Sequence, residues 1–536
     1  MTGRHVLLVV VSALVAGASW LQGQAAPLDT LLFNGKIITV DDRFTVAQAV
    51  GIRGGRIAAV GTNGEVSRLA GPATRRIDLG GKAVIPGLID NHMHLLRAGT
   101  TWQWEVRLDG VGSRARALEL LRTRAKSTPP GEWIYTLGGW AVEQFADDAR
   151  PFTREELDRA VPDHPVLLQA SYYHSYLNSR GLAALDVRDS ATGEIDEPGI
   201  RGLAARLPTA SGDALERSTK AMFRDLNRAG LTAFGSAGCE ADVLPLYRRL
   251  ADRGQLDVRV FCITGAAAST AAQVDRALPL IQAMKVGQGD DFIDQIAFGE
   301  SVYGPLHDPM FITASSPGAE DLAQWRRMAT GIAKAGLPLH VHANLIATIG
   351  AFLDQIEAID REQRVAPLRW TLAHLNQVDA SHLARMKKLG VAAAVHPWAV
   401  INGGINRRVF GDAVATNMPP LRTIQASGVV WGLGSDGSRA NQILPFTTLW
   451  WAVTGRMVGG ATVLRETIDR KDALIAHTRE NARLVFREKQ IGSLEAGKLA
   501  DLVVLDRDYL TVPADDIRNI TPVLTMVGGR VVFESR

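Results

Sequence analysis

The chain has 536 residues, well beyond the roughly 250 to 300 at which a single hydrophobic core stops growing, so a large central domain with a smaller one attached is expected and a small stapled fold is excluded. Hydrophobic residues make up 46% and charged residues 21%, which excludes a disordered chain and a polytopic membrane protein. The formal net charge is only +3, and no Lys/Arg cluster interleaved with aromatics offers a phosphate-binding stripe, so nucleic acid is not an expected partner.

Residues 1–26 read as a secretory signal peptide. Arg4 and His5 precede an apolar run at 6–18, and the small residues Gly23-Gln24-Ala25-Ala26 follow, with Pro27 just beyond. The run is too short for the roughly 20 residues a membrane-spanning helix needs, which makes an uncleaved anchor the weaker alternative. The expected location is periplasmic or secreted, with no stable membrane anchor.

Residues 27–85 break into short β segments at 31–40, 47–53, 56–60 and 76–79, separated by glycine turns. The far end, 486–536, has the same texture, with strands at 500–506 and 523–533 and a hairpin turn at Gly528-Gly529. Two β-rich ends around a different middle predict one small β-sandwich-like domain built from both termini.

The middle, 86–485, alternates apolar strands with amphipathic helices. Strands are expected at 84–90, 165–171, 231–236, 258–264, 295–300, 337–342, 369–374, 391–396 and 429–436, and helices at 114–126, 153–160, 212–229, 319–335, 347–363 and 381–389. Continuous apolar strands fit a parallel sheet covered by helices, and repeated βα units over this length fit a (β/α)8 TIM-like barrel with insertions. Nine strands compete for eight places. Cys239 and Cys262, the only cysteines, each end an apolar run and read as buried thiols, a single disulfide between them being the alternative.

Six of the twelve histidines, His92, His94, His174, His342, His374 and His396, fall at or just after the C-terminal end of a strand, the rim on which such a barrel carries its site. Neutral imidazole is a common ligand for zinc and its neighbours, so convergence on one rim points to a divalent metal. His92 and His94 are two apart after an apolar strand and share a face in extended geometry, with Met93 turned away. His340 lies one layer deeper than His342 and reads as a supporting or structural group. Gly434-Ser435-Asp436 brings a carboxylate to the same rim, where Asp436 is either a helix cap or a proton carrier between water and leaving group. Trp102, Trp104, Trp133, Trp140, Tyr172 and Tyr173 lie near the first strand ends, and two or three of them are expected to line an apolar pocket, with Trp140 and His396 as substrate contacts.

The segments Pro86-Gly87-Leu88-Ile89-Asp90-Asn91-His92-Met93-His94, His174-Ser175-Tyr176-Leu177-Asn178-Ser179, His342-Ala343, His374, Gly434-Ser435-Asp436 and Ile491-Gly492-Ser493-Leu494-Glu495-Ala496-Gly497-Lys498-Leu499-Ala500-Asp501 resemble the amidohydrolase superfamily, in its amidohydrolase-3 branch with the YtcJ-like proteins and N-substituted formamide deformylases. The resemblance runs from about residue 29 to 536. It implies His92, His94, His342, His374 and Asp436 as the metal set and His174 as a substrate contact. It also implies one or two divalent ions, zinc first among them. Where relatives often carry a carboxylated Lys, this chain reads Asp294-Gln295-Ile296-Ala297-Phe298-Gly299-Glu300, with Glu300 either as the bridging carboxylate or as an acid beside a single ion. Asn344-Leu345-Ile346 and Ala373 also depart from the family pattern.

The expected activity is metal-dependent hydrolysis of a non-peptide carbon–nitrogen bond, amide or formamide-like, in a small apolar or aromatic molecule. An ester or lactone hydrolase on the same site, or a silent exported binding protein, are the competing readings. Homo-oligomerisation is left open.

Overall fold

A computed structural model describes residues 26–172, 174–187, 194–196, 203–310 and 316–535. Eight parallel strands, Leu88–Met93, Leu231–Ala237, Arg259–Ile263, Ile293–Glu300, Leu339–Ala343, Thr371–His374, Ala392–Val395 and Trp431–Leu433, lie side by side in chain order. Most of their residues are buried, because side chains of the barrel interior back one face and the helical ring backs the other. The amide of Asp436 donates to the His92 carbonyl at 3.0 Å and that of His94 to Gly437 at 2.5 Å, which joins the eighth strand to the first and closes a (β/α)8 barrel. Asn481 reinforces the seam from below, its amide nitrogen bonding the carbonyls of both Ile89 and Leu433.

The surrounding helices form where the 3.6-residue periodicity places them. Gly212–Arg228, for example, buries Met222, Phe223 and Leu226 on one stripe. Ala380–Leu389 starts where the Asp379 carboxylate accepts the amides of Ser381 and His382, and it stops at Gly390, whose φ of 69° suits a residue without Cβ.

The ninth strand expected from the sequence, Val166–Ala170, lies outside the barrel. It pairs with Ile134–Leu137 and His174–Leu177 in a separate sheet carried between the first and second barrel strands. Its apolar run is buried by that insert's own core of Trp140, Phe145, Phe152 and Tyr176, so apolarity alone did not separate it from the barrel.

Both chain ends build the small β domain. One four-stranded sheet comes from the N-terminal segment, and a six-stranded sheet combines Lys36–Ile38, Val46–Ala47 and Ala83–Pro86 with Leu502–Leu505, Pro522–Val527 and Arg530–Glu534. The run expected as one strand at 84–90 is divided at Gly87 between this sheet and the barrel. A Cβ there would sit 2.6 Å from Thr232 Cγ2, which fixes glycine at the crossing. The two domains are locked by Arg259 on the third barrel strand and Asp501, a bidentate pair at 2.7 and 2.8 Å with both side chains almost fully buried. Such a pair is costly to break from one side because a buried charge is left uncompensated.

Cys239 and Cys262 form a disulfide, which corrects the expectation of two free thiols. Cys262 is on the third barrel strand opposite Ser236 of the second, and Cys239 follows that second strand by two residues, so the barrel itself brings the sulfurs together. The loop they close, at a separation of 23 residues, corresponds to about 3 kcal/mol in the chain-entropy account.

Residues 1–25, on which the signal-peptide expectation falls, lie outside the described residues. Among the described residues no helix is long and apolar enough to cross a membrane.

Candidate metal centre

The C-terminal ends of five barrel strands deliver six ligating side chains to one point. His92 is the penultimate residue of the first strand and His94 follows that strand, Glu300 ends the fourth, His342 lies on the fifth, His374 ends the sixth, and Asp436 follows the eighth. Glu300 is central. Its Oε2 is 3.1 Å from His92 Nε2, 3.5 Å from His374 Nε2 and 3.9 Å from His342 Nδ1, while Oε1 is 3.3 Å from His94 Nε2. Asp436 Oδ1 lies 3.3 Å from His94 Nε2 and 3.7 Å from His92 Nε2.

Two overlapping sets of ligand atoms, His92 with His94 and Asp436, and His92 with Glu300 and His374, each fall within 4.8 Å of one another. Four of those atoms, His92 Nε2, His374 Nε2, Glu300 Oε2 and Asp436 Oδ1, are buried yet make no well-directed hydrogen bond. Buried polar atoms without partners are costly, and here they share one focus and one chemistry, that of a divalent cation's ligands. The residues present fit such an ion.

Four of the six ligands are oriented by a partner on the far side. His340 Nε2 meets His92 Nδ1 at 2.9 Å, which gives the deeper histidine the supporting role. His396 Nδ1 meets His374 Nδ1 at 2.8 Å and is held in turn by Asn91 Oδ1 at 3.0 Å. Asp308 fixes His342, Oδ1 standing 2.9 Å from Nε2, and itself accepts the amides of Asn344 and Leu345. Trp398 donates to Asp436 Oδ2 at 2.8 Å, leaving Oδ1 to face the site.

Burial and the repulsion of neighbouring imidazoles push His374 down to about 4 and hold His340 and His396 well below the ordinary range. These rings are therefore neutral at pH 7, the form that ligates. Burial works to raise Glu300, but the facing His92 and His94 hold it well below the usual carboxylate range. Asp436 is also lowered, burial being outweighed first by its contact with His94.

Over this centre opens a cavity of about 960 Å³, to which His94, Glu300, His342, His374, Trp398 and Asp436 contribute. Several expected substrate contacts do not reach it. Trp140 is fully buried in the insert's core and donates to Thr136 Oγ1 at 2.8 Å, and the pull of that aromatic cluster explains its position. His396 is fully buried behind His374. His174 starts an inserted strand beside Tyr176 and is not among the described residues lining the cavity. Of the six aromatics expected near the pocket, Tyr172 lines it, Trp102 is tied to Asp225, Trp104 and Trp133 line a separate surface groove, and Tyr173 lies outside the described residues. The sequence reading missed Asp308, and His307 stacked 3.7 Å from His342, because they sit on a loop with no strand pattern. Trp398 was legible in principle, two residues after His396 on a strand-end loop.

The sequence pattern of the amidohydrolase family (Amidohydro_3) matches residues 75–533. The N-substituted formamide deformylase of Arthrobacter pascens is 28% identical over 94% of this chain and 98% of its own length. The putative amidohydrolase YtcJ of Bacillus subtilis is 23% identical over 93% of this chain and 98% of its own. Among solved structures, an uncharacterized metal-dependent hydrolase from Pyrococcus furiosus superposes with a TM-score of 0.65 at 23% identity, covering 90% of this chain and 100% of that one.

Proposed function

The chain belongs to the amidohydrolase family and is a metal-dependent amidohydrolase; from that premise we propose that it hydrolyses an amide or formamide-like carbon–nitrogen bond in a small molecule, with zinc as the resident ion. The observation that carries the reading is the set of four partnerless buried atoms facing one point beneath an open cavity. The formamide class is supported by similarity to the Arthrobacter deformylase over nearly its whole length.

When bound, a divalent ion supplies Lewis acidity to the carbonyl and acidifies water at the site. His92, His94, His342, His374 and Glu300 would hold it. Asp436 is ionised and held by Trp398 through Oδ2, so Oδ1 accepts the proton of the attacking water and returns it to the departing nitrogen. The walls of the cavity would confine the substrate so that its carbonyl meets these groups.

His92→Ala, His94→Ala, His342→Ala and His374→Ala should each lower metal content, measured by elemental analysis of the purified protein, and with it hydrolysis of N-formyl and N-acyl amines. His382→Ala is the control, since its ring bonds Asp379 at a helix start, away from the strand ends. His477 is unsuitable as a control, being fully buried with the Ile89 amide on its carbonyl. Equal loss in His382→Ala would mean misfolding and would remove the evidence for a site.

Export is part of the same reading. It is supported by the Arg4, 6–18, Gly23 to Ala26 pattern and by the Cys239–Cys262 disulfide, a bond that persists in oxidising compartments. Mass spectrometry of protein from its native source should find an N-terminus near Ala26 or Pro27. An intact Met1 on membrane-bound protein would contradict export by a cleaved leader.

A further inference from the structure

Two arginines line the cavity above the metal centre, and among the described residues neither makes an ion pair. Arg97 opens the short helix Arg97–Thr100 after the first barrel strand, and Arg439 lies three residues beyond Asp436, after the eighth. Both face the same space as Tyr172. No ion pair or side-chain hydrogen bond engages either guanidinium among the described residues, and Arg97 Nε is buried without a partner. The two are close enough that Arg97, after burial itself, lowers the pKa of Arg439.

The nearby acids are committed elsewhere. Glu105 and Asp109 take Arg107 at 2.9 and 2.8 Å, Asp308 holds His342, and Glu300 and Asp436 face the metal position. Arginine does not deprotonate in proteins, so the pair is a standing double positive charge in a half-enclosed space. Its position is built rather than incidental. The Gly139 amide donates to the Arg439 carbonyl at 3.0 Å and Ser171 Oγ to that of Ala440 at 3.1 Å, so the insert clamps the loop. Gly138, at φ 83°, turns the insert so tightly that any Cβ would run into the Arg439 backbone.

We propose that Arg97 and Arg439 form a subsite for a carboxylate on the substrate, so that the bond cleaved belongs to an N-acylated or N-formylated amino acid rather than to a neutral amine. The proposal rests on the amide-hydrolase reading and adds the chemistry of the group beyond the scissile bond. Two guanidinium forks offer a carboxylate charge-assisted, bidentate contacts, and a neutral substrate would leave both charges uncompensated.

The test compares N-formylphenylalanine with N-formylphenethylamine, which differ only by the carboxylate, on the zinc-loaded mature protein. The acid should be preferred in kcat/KM by about 10²-fold, the scale of a charge-assisted pair at a partly buried site. Arg97→Met and Arg439→Met should each bring that ratio close to one, while Arg439→Lys keeps part of it. A wild-type ratio at or below one overturns the proposal, as does a ratio unchanged when both rates fall together. Hydrolysis of neither compound would count against the amide reading instead. Calorimetric titration with phenylacetate then decides the subsite by itself: binding lost in both Met variants upholds it, whereas no wild-type binding, or equal binding in all three proteins, overturns it.

Discussion

Glu300→Gln should leave the protein folded but with its metal content reduced towards one ion per chain or none, and with hydrolysis down by about 10³-fold, the size that several kcal/mol of lost transition-state stabilisation implies. The reason lies in where the side chain sits. Its two oxygens approach His92, His374, His342 and His94 between 3.1 and 3.9 Å, so a single negative charge is shared among ligands from the first, fifth and sixth strands. If two cations were held here they would repel strongly in a buried site, and the Glu300 carboxylate would supply charge to offset that repulsion. Glutamine keeps the shape and removes the charge, which separates electrostatics from packing. Elemental analysis and thermal unfolding read the two effects apart. If the wild type holds one ion and Glu300→Gln keeps it, Glu300 is a neighbouring acid and not a bridge.

How far the sequence disclosed this arrangement depended on which physical signal each part leaves. Barrel strands are buried on both faces and leave continuous apolar runs, so eight of them were legible, and the strand-end positions of His92, His94, Glu300, His342, His374 and Asp436 followed by counting along each run. Val166–Ala170 leaves the same run because its insert buries it equally well, and only pairing partners distinguish it. The disulfide was within reach, since Cys239 and Cys262 each end an apolar run and lie at neighbouring barrel strands, but their proximity is a property of barrel order and not of either run. Trp140 was misplaced for a related reason: an indole packs into an aromatic core as readily as it lines a pocket, and sequence spacing carries no information about which. Asp308, Arg97 and Arg439 sit on loops whose geometry is set by distant contacts, and loops leave no periodicity from which a side chain's direction can be read.

Asp436→Asn distinguishes a proton carrier from a ligand. Asp436 presents Oδ1 to the site while Trp398 donates to Oδ2 at 2.8 Å, and an asparagine of the same shape keeps an oxygen available but loses the ability to accept and return a proton. The rate should fall by about 10² to 10⁴, the range for losing a general acid–base group, while most of the metal stays, because the imidazoles and Glu300 are untouched. Trp398→Phe provides the companion measurement. It leaves the carboxylate in place but frees Oδ2, so the chemical step should slow by a smaller factor than in Asp436→Asn, with metal content unchanged, and kcat should respond more than KM because the indole sets the direction of the proton acceptor. Loss of metal together with activity in Asp436→Asn would instead make Asp436 primarily a ligand. The proton carrier would then have to be sought on the cavity wall, which His307, stacked against His342, also lines.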